Sequence, residues 1–313
     1  MKPETLEAWS DPSAHQEGFV TANGVRLQYL DWGSAGPALI FIHGGVDNPH
    51  AFDDLAPAFT DRFRVIAYAR RGHGQSAGEG PFDTLTLTED LRGLMDTLRI
   101  EKANLVGWSM GGNEATGMAI SHPERVIRIV YLDGAFDCAD PDFLAASKAI
   151  PSQFIETPAS AMASLEVYRS YYQAEVVAPL EDMGRIEAYL RETVVVRSDG
   201  SLEQKMPKAI QESLFADILA DPPRQYSRIN CPALAIFPES QFNLQGADLQ
   251  RRAIALECER KYMAPLRHKF MDQLRRELRG VQIMSVAGAH SDFFLNSRAE
   301  VVEAMRRFLM GVG

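Results

Sequence analysis

A serine sits among glycines in Gly107-Trp108-Ser109-Met110-Gly111, with Gly112 directly after. The apolar run Asn104–Trp108 precedes it, and a helical pattern, Gly112–Ser121, follows. A serine at such a strand-to-helix turn adopts a strained backbone, and flanking glycines make room for the tight crossing. The hydroxyl then points outward above the carboxyl edge of a sheet. The helix N-terminus favours negative charge developing beside it. The chemistry this suits is nucleophilic attack on a carbonyl. A glycine-rich turn with no chemistry is the rival reading, and the strand before and helix after argue against it.

Acyl transfer also needs hydrogen-bond donors where the oxyanion forms. His43-Gly44-Gly45 follows another apolar run, Ala38–Ile42, and can aim backbone N–H groups at the same point. The expected donors are Met110 N–H, just after the nucleophile, and Gly45 N–H, with Val46 the lesser alternative. His43 reads as a brace for this turn. Gly72 and Gly74 of Arg70-Arg71-Gly72-His73-Gly74-Gln75-Ser76 read as loop-shaping. A serine nucleophile needs a base. Of the seven histidines, His290 stands out, because Ala287-Gly288-Ala289 carries it just past the last apolar run, Gln282–Val286. Ligands and catalysis gather at carboxyl strand ends in open α/β sheets.

The elements that must hold these residues are legible in outline. Phe19–Thr21 and Val25–Trp32 flank Asn23-Gly24, a hairpin signal. From Ala38 on, unbroken apolar runs (also Arg64–Ala67, Val126–Leu132 and Ala233–Phe237) alternate with helical stretches near Ala51–Phe59, Thr88–Leu98, Gly112–Ser121 and Ala299–Leu309. Such runs suit strands buried on both faces of a parallel, doubly wound α/β sheet. Ala139–Arg228 breaks the rhythm. It has no strong strand except Thr193–Val196, holds 14 acidic and 9 basic residues, and reads as a mostly helical insertion over the sheet. A structureless loop that long is improbable. Ala247–Arg279, with 9 basic and 5 acidic residues, reads as one long helix or two broken near Pro265, with Leu249, Leu256, Met263, Phe270 and Leu278 on one face. The plain reading is a solvated surface helix. The sharper one is an oligomer contact or docking onto the acidic insertion.

Composition narrows the classes further. The 313 residues are 46% hydrophobic and 24% charged, enough to bury a large core without disulfides or metal. A formal charge of −10 speaks against a general nucleic-acid binder. Residues Met1–Glu17 read as a polar lead-in without a signal-peptide core, and no apolar run is long enough to span a bilayer. Cys138, Cys231 and Cys258 are far apart and read as free thiols of a reducing cytosol.

Taken in order, His43-Gly-Gly, Arg71-Gly-His-Gly-Gln-Ser76, Gly107-Trp-Ser-Met-Gly-Gly112 and Gly288-Ala-His290 resemble the α/β-hydrolase superfamily over about Gly18 to Leu309. The resemblance implies a Ser–His–acid triad and the α/β-hydrolase fold, a mostly parallel, doubly wound eight-stranded sheet with an inserted helical cap. The expected division is core 1–137, cap 138–228 and core 229–313. The sequence departs from the family at the acid. Members commonly place Asp in the loop after the seventh strand, where this chain has Pro238-Glu239-Ser240-Gln241. Gln241 stands where Asp is usual, and an amide cannot offset an imidazolium as a carboxylate does. Other members take the acid from the end of the sixth strand, here Asp133 before Gly134. Asp133 is therefore the expected acid, with Glu239 the alternative and Asp137 behind it. Ala69 stands where Asp is common before the Arg-Gly-His-Gly loop.

The expectation is a cytoplasmic serine hydrolase: Ser109 nucleophile, His290 base, Asp133 acid, Gly45 and Met110 at the oxyanion. It needs no cofactor and no metal. The partner is a small-molecule ester, thioester or lactone, with no nucleic acid and no membrane, and a homodimer is left open. Carbon–carbon bond hydrolysis on the same triad is an alternative, lowered because Ser291 follows His290 where those enzymes usually have Trp. Haloperoxidase or perhydrolase activity is another. A non-catalytic ligand receptor on the same fold is the alternative of a different class.

Overall fold

The computed structural model describes residues 9–311 except 155, 178 and 246. Most of the lead-in, residues 1–8, lies outside the described residues. The strands are β1 (Gln16–Ala22), β2 (Val25–Gly33), β3 (Ala38–Ile42), β4 (Arg64–Tyr68), β5 (Ala103–Trp108), β6 (Val126–Leu132), β7 (Val194–Val196), β8 (Leu202–Gln204), β9 (Ala233–Ser240) and β10 (Gln282–Ala289). The helices are α1 (Thr84–Thr97), α2 (Gly111–Ser121), α3 (Pro141–Ala149), α4 (Leu165–Tyr171), α5 (Glu187–Thr193), α6 (Lys208–Ala220), α7 (Leu249–Cys258), α8 (Ala264–Glu277), α9 (Phe293–Asn296) and α10 (Arg298–Leu309).

Eight strands form one sheet in the order β1-β2-β4-β3-β5-β6-β9-β10. β1 and β2 form the antiparallel hairpin, and β2 joins β4 antiparallel. From β4 to β10 every pairing is parallel. β3 and β5 are buried at every position, as strands covered on both faces must be. One apolar cluster packs on each side: Phe41, Val106, Val130 and Ile236 face one layer, and Ile40, Leu105, Ile129 and Ala235 the other. This is the doubly wound sheet that the alternating pattern predicts.

Three local expectations are corrected. Ala51–Phe59 is two 3-10 turns, Pro49–Phe52 and Ala56–Phe59. Pro49 and Pro57 each sit at the start of a turn, where a missing N–H costs nothing but a continuous helix is blocked. Pro265 does not break α7 from α8. A π turn, Glu259–Met263, joins them, with Ala264 N–H reaching back to the Glu259 carbonyl. Leu249 and Leu256 are solvent-exposed at 87% and 50%, while Met263, Phe270 and Leu278 are buried. On α7 the buried face is instead carried by Ala255 and Cys258, and the large apolar residues turn inward from Met263 onward.

α8 is not a plain surface helix. Lys269 Nζ lies 2.7 Å from Asp140 and 2.6 Å from Asp142, at the start of α3. Arg251 Nε lies 3.1 Å from Glu175. The basic helix thus docks onto the acidic segment between β6 and β9. That segment carries α3 to α6 and one small ribbon, β7 paired antiparallel with β8. The ribbon extends the expected Thr193–Val196 strand by a partner the sequence did not signal. Among the described residues no helix is long and apolar enough to cross a membrane.

Candidate active site

Ser109 occupies the turn between β5 and α2 with φ at +52°, a left-handed conformation that costs a non-glycine residue energy. The turn survives because the crossing is stripped of side chains. A Cβ at Gly111 would collide with the Ile42 carbonyl, and one at Gly112 with the Gly134 carbonyl. Ser109 N–H donates to the Leu132 carbonyl at 3.1 Å, tying the elbow to the end of β6.

His290 lies one residue past β10. Its Nε2 is 3.0 Å from Ser109 Oγ, and its Nδ1 is 2.6 Å from Asp133 Oδ2. Asp133, 2% exposed, follows β6 and has its own positive φ of +45°. Trp108 Nε1 donates to the His290 carbonyl at 3.2 Å and holds the histidine's loop over the elbow. With Asp133 accepting from Nδ1–H, the Nε2 lone pair faces the Ser109 hydroxyl.

The alternative acids go elsewhere. Glu239 is exposed and offers its carbonyl to Arg267. Asp137 accepts from the backbone N–H groups of Ala139 and Arg224. Gln241 lines the cavity beside His290.

The loop after β3 is held from behind. Arg70 N–H donates to His43 Nε2 at 3.1 Å, and His43 Nδ1 donates to the Gly44 carbonyl at 2.9 Å. Burial, then His73 and Arg70, hold the His43 imidazole well below its ordinary range, so it stays neutral in this role. His73 Nε2 meets the Gly45 carbonyl, and burial followed by Arg70 pushes His73 down to about 4. Arg70 is itself fixed by Glu114, 2.5 Å away, both fully buried. In a trans peptide the N–H points opposite the carbonyl. Pulling the Gly44 and Gly45 carbonyls inward therefore turns the N–H groups of Gly45 and Val46 outward. Among the described residues neither these nor the Met110 N–H has an acceptor within the protein.

Sequence reasoning missed several neighbours. Asp47 crowds Gly44, whose added Cβ would also lie 3.2 Å from Ser109 Cβ. Tyr189 from α5 donates to Asp47 at 2.7 Å, and burial pushes the Asp47 carboxyl above the usual carboxylate range. A cavity of about 190 Å³ opens on Ser109 and His290, walled by Phe136, Phe143, Ile150, Phe215, Met263 and Leu266. Its polar members include Arg224, whose guanidinium donates to the Gly134 carbonyl at 2.7 Å and the Tyr226 hydroxyl at 3.2 Å. Among the described residues no carboxylate lies within ion-pair distance of that guanidinium. None of these contacts follows a sequence spacing. Most come from α3, α5, α6, α8 and the loops beside them, distant in the chain from Ser109.

The family model described as alpha/beta hydrolase fold matches residues 37–237. The chain belongs to the alpha/beta-hydrolase family. Among curated members, 3-oxoadipate enol-lactonase 2 of Acinetobacter baylyi is 36% identical over 126 residues, 40% of this chain and 47% of that protein. A 2-hydroxy-6-oxononadienedioate/2-hydroxy-6-oxononatrienedioate hydrolase of Burkholderia vietnamiensis is 28% identical over 68% of this chain and 74% of its own. At identities above 30%, the chain spans less than half the length of the relatives it matches. Of solved structures, E-2-(acetamidomethylene)succinate hydrolase superposes with a TM-score of 0.70 at 22% identity, covering 94% of this chain and 99% of that one. At that identity the likeness speaks to the alpha/beta-hydrolase fold alone.

Proposed function

We propose that this alpha/beta-hydrolase is a serine hydrolase that cleaves a carboxylic ester, lactone or thioester through an acyl-enzyme. The observation that carries the reading is the line from Asp133 Oδ2 through the His290 ring to Ser109 Oγ, at 2.6 Å and 3.0 Å. His290 Nε2 takes the hydroxyl proton as Ser109 Oγ bonds to the acyl carbon. Asp133 keeps the tautomer and offsets the imidazolium charge. The N–H groups of Met110 and Gly45 hold the oxyanion. The imidazolium returns its proton to the leaving oxygen or sulfur as that bond breaks. Water, deprotonated by His290, then attacks the acyl-enzyme, releasing the acid and restoring the Ser109 hydroxyl.

Residues 138–228 act in this proposal as a cap between two core segments, 1–137 and 229–313. Phe143, Ile150 and Phe215 from that segment wall the cavity beside Ser109. Its apolar walls suit a small to medium acyl group. Arg224 adds a cation whose nearest partners are a carbonyl and a hydroxyl. A substrate with a carboxylate at the far end of its acyl part would give that cation a direct ion-pair partner. The fitting test is a panel of p-nitrophenyl esters, thioesters and lactones with and without a terminal carboxylate. Turnover of acid-bearing members above neutral ones of equal length supports the assignment, and hydrolysis of none of them refutes it.

Carbon–carbon bond hydrolysis is the second reading. The Burkholderia vietnamiensis relative, aligned over 68% of the chain, favours it. Ser291 after His290 weighs against it. A 2-hydroxy-6-oxo dienoic acid in the same panel separates the two.

A further inference from the structure

Asp11, His15, His50 and Asp53 converge away from Ser109, and each offers one ligand atom within 4.8 Å of the other three. His15 Nε2 lies 3.1 Å from Asp11 Oδ2 and 3.5 Å from Asp53 Oδ1. His50 Nδ1 lies 3.6 Å from Asp11 Oδ2 and 2.9 Å from Asp53 Oδ2. A tetrahedron with bonds of about 2.0–2.1 Å to zinc has edges of about 3.3–3.4 Å. The four nitrogen-to-oxygen separations, 2.9 to 3.6 Å, bracket that edge length.

The hydrogen-bond accounting points the same way. The side chains of His15, His50 and Asp53 are 6%, 8% and 7% exposed. His15 Nδ1 is buried with no partner, and His15 Nε2, Asp11 Oδ2 and Asp53 Oδ1 have only one another at ion-pair range, with no well-aligned hydrogen bond among them. Ser13 serves the other oxygens: its N–H donates to Asp11 Oδ1 at 2.9 Å and its hydroxyl to Asp53 Oδ2 at 3.2 Å. Buried polar groups left unpaired are costly. His50 Nδ1 shares a proton with Asp53 Oδ2 at 2.9 Å, and with that proton displaced the two carboxylates and two imidazoles converge as acceptors that a single cation would satisfy together. Two nitrogens and two carboxylate oxygens suit zinc, whereas calcium and magnesium prefer all-oxygen shells of six or more. Glu192 Oε2 lies 3.7 Å from His50 Nε2, too far for a hydrogen bond but near enough to add negative charge beside that ring.

We propose that this cluster is a structural Zn²⁺ site that fastens the segment before β1 to the turn after the Gly44-Gly45 loop. This departs from the expectation that the chain needs no metal. Asp11 and His15 come from the lead-in, and His50 and Asp53 from the 3-10 turn Pro49–Phe52 and the residue after it. All four corners are protein side chains, so the site is closed to substrate, as structural zinc sites are. It stands independently of the hydrolase assignment.

The test uses untagged full-length protein, metal-stripped and then dialysed against Zn²⁺ or Co²⁺. About one equivalent should remain after gel filtration, and Co²⁺ should show the intense visible absorption of a tetrahedral site. Zn²⁺ should raise the melting temperature by on the order of 5 °C over protein in EDTA. His15→Ala and Asp11→Asn should each weaken binding at least about 10-fold while retaining ester turnover. Mg²⁺ and Ca²⁺ should give no shift. Less than a tenth of an equivalent retained by folded wild-type protein overturns the proposal. So does equal Zn²⁺ retention by folded His15→Ala and Asp11→Asn, or a Co²⁺ spectrum that these variants leave unchanged.

Discussion

Ser109 and Asp133 stand side by side at the carboxyl ends of adjacent parallel strands, both with positive φ, +52° and +45°. Their preceding residues, Trp108 and Leu132, are register partners, and Ser109 N–H bonds back to the Leu132 carbonyl. Each strained residue lifts its side chain off the sheet edge toward the one imidazole. Strain of this kind costs on the order of 1–3 kcal/mol per residue and persists only where neighbours enforce it. Here glycine crossings on both sides do so.

The acid is therefore the most discriminating single position. Asp133→Asn keeps the shape, removes the charge and favours the wrong tautomer of His290, with an expected loss of up to about 10⁴ in kcat. Glu239→Gln and Gln241→Ala should each cost less than about 10-fold, since neither residue bonds His290 among the described contacts. Steady-state kinetics of the three variants decide it. If Glu239→Gln is the most damaging, the acid is misassigned while the hydrolase reading stands.

His290→Ala should reduce kcat by on the order of 10⁶, and the Ser109→Ala/His290→Ala pair should be no worse than either alone. Residues acting as one unit are not additive. A further large drop in the double variant would mean the two act separately.

Much of this was legible in the sequence. The alternation of apolar runs with helical stretches carries the sheet. Gly107, Gly111 and Gly112 mark the elbow, and Gly288-Ala289 aims His290. Asp133 could be reached because Gln241 vacates the usual acid position. What could not be read depends on which distant surfaces meet. Asp47 is next to the Gly44-Gly45 loop in sequence, yet it meets Tyr189, which comes from distant α5. Leu266 of α8 reaches the cavity because that helix packs its apolar face, with Phe270, against Ala146 and Phe143 of α3, and Arg224 is held there by the Gly134 carbonyl and the Tyr226 hydroxyl. Pro265 misled because its missing N–H falls just after a π turn that needs none from it. His15 and His50 carry no ligand spacing because the sheet, not the chain, brings them together.

Arg224→Met should separate substrates by charge. kcat/KM for a carboxylate-bearing ester should fall about 10- to 100-fold, the worth of a charged hydrogen bond, with little change for a neutral ester of the same length. Equal losses on both would assign Arg224 to structure, through its bond to the Gly134 carbonyl.

Asp292, the second residue past His290, gives a pH signature in stability. Burial pushes its carboxyl up to about 6, against hydrogen bonds donated by Ala289 N–H and the Asn296 side chain and against the charge of His290. The native state then holds this proton more tightly than the unfolded chain, so the contribution is fully present below about pH 4 and is lost as pH rises to about 6. Wild type should therefore lose ground relative to Asp292→Asn over that window, by on the order of 2 kcal/mol. Urea unfolding at pH 4.5 and pH 7 measures it. A wild-type advantage that grows with pH contradicts the assignment.

The most direct test of the central claim is covalent. Intact-mass measurement after treatment with a fluorophosphonate should show one adduct per chain, mapped to Ser109 by peptide sequencing. Ser109→Ala should take up none, and His290→Ala should label far more slowly. An adduct on another residue, or undiminished labelling of folded Ser109→Ala, would contradict Ser109 as the nucleophile that His290 activates.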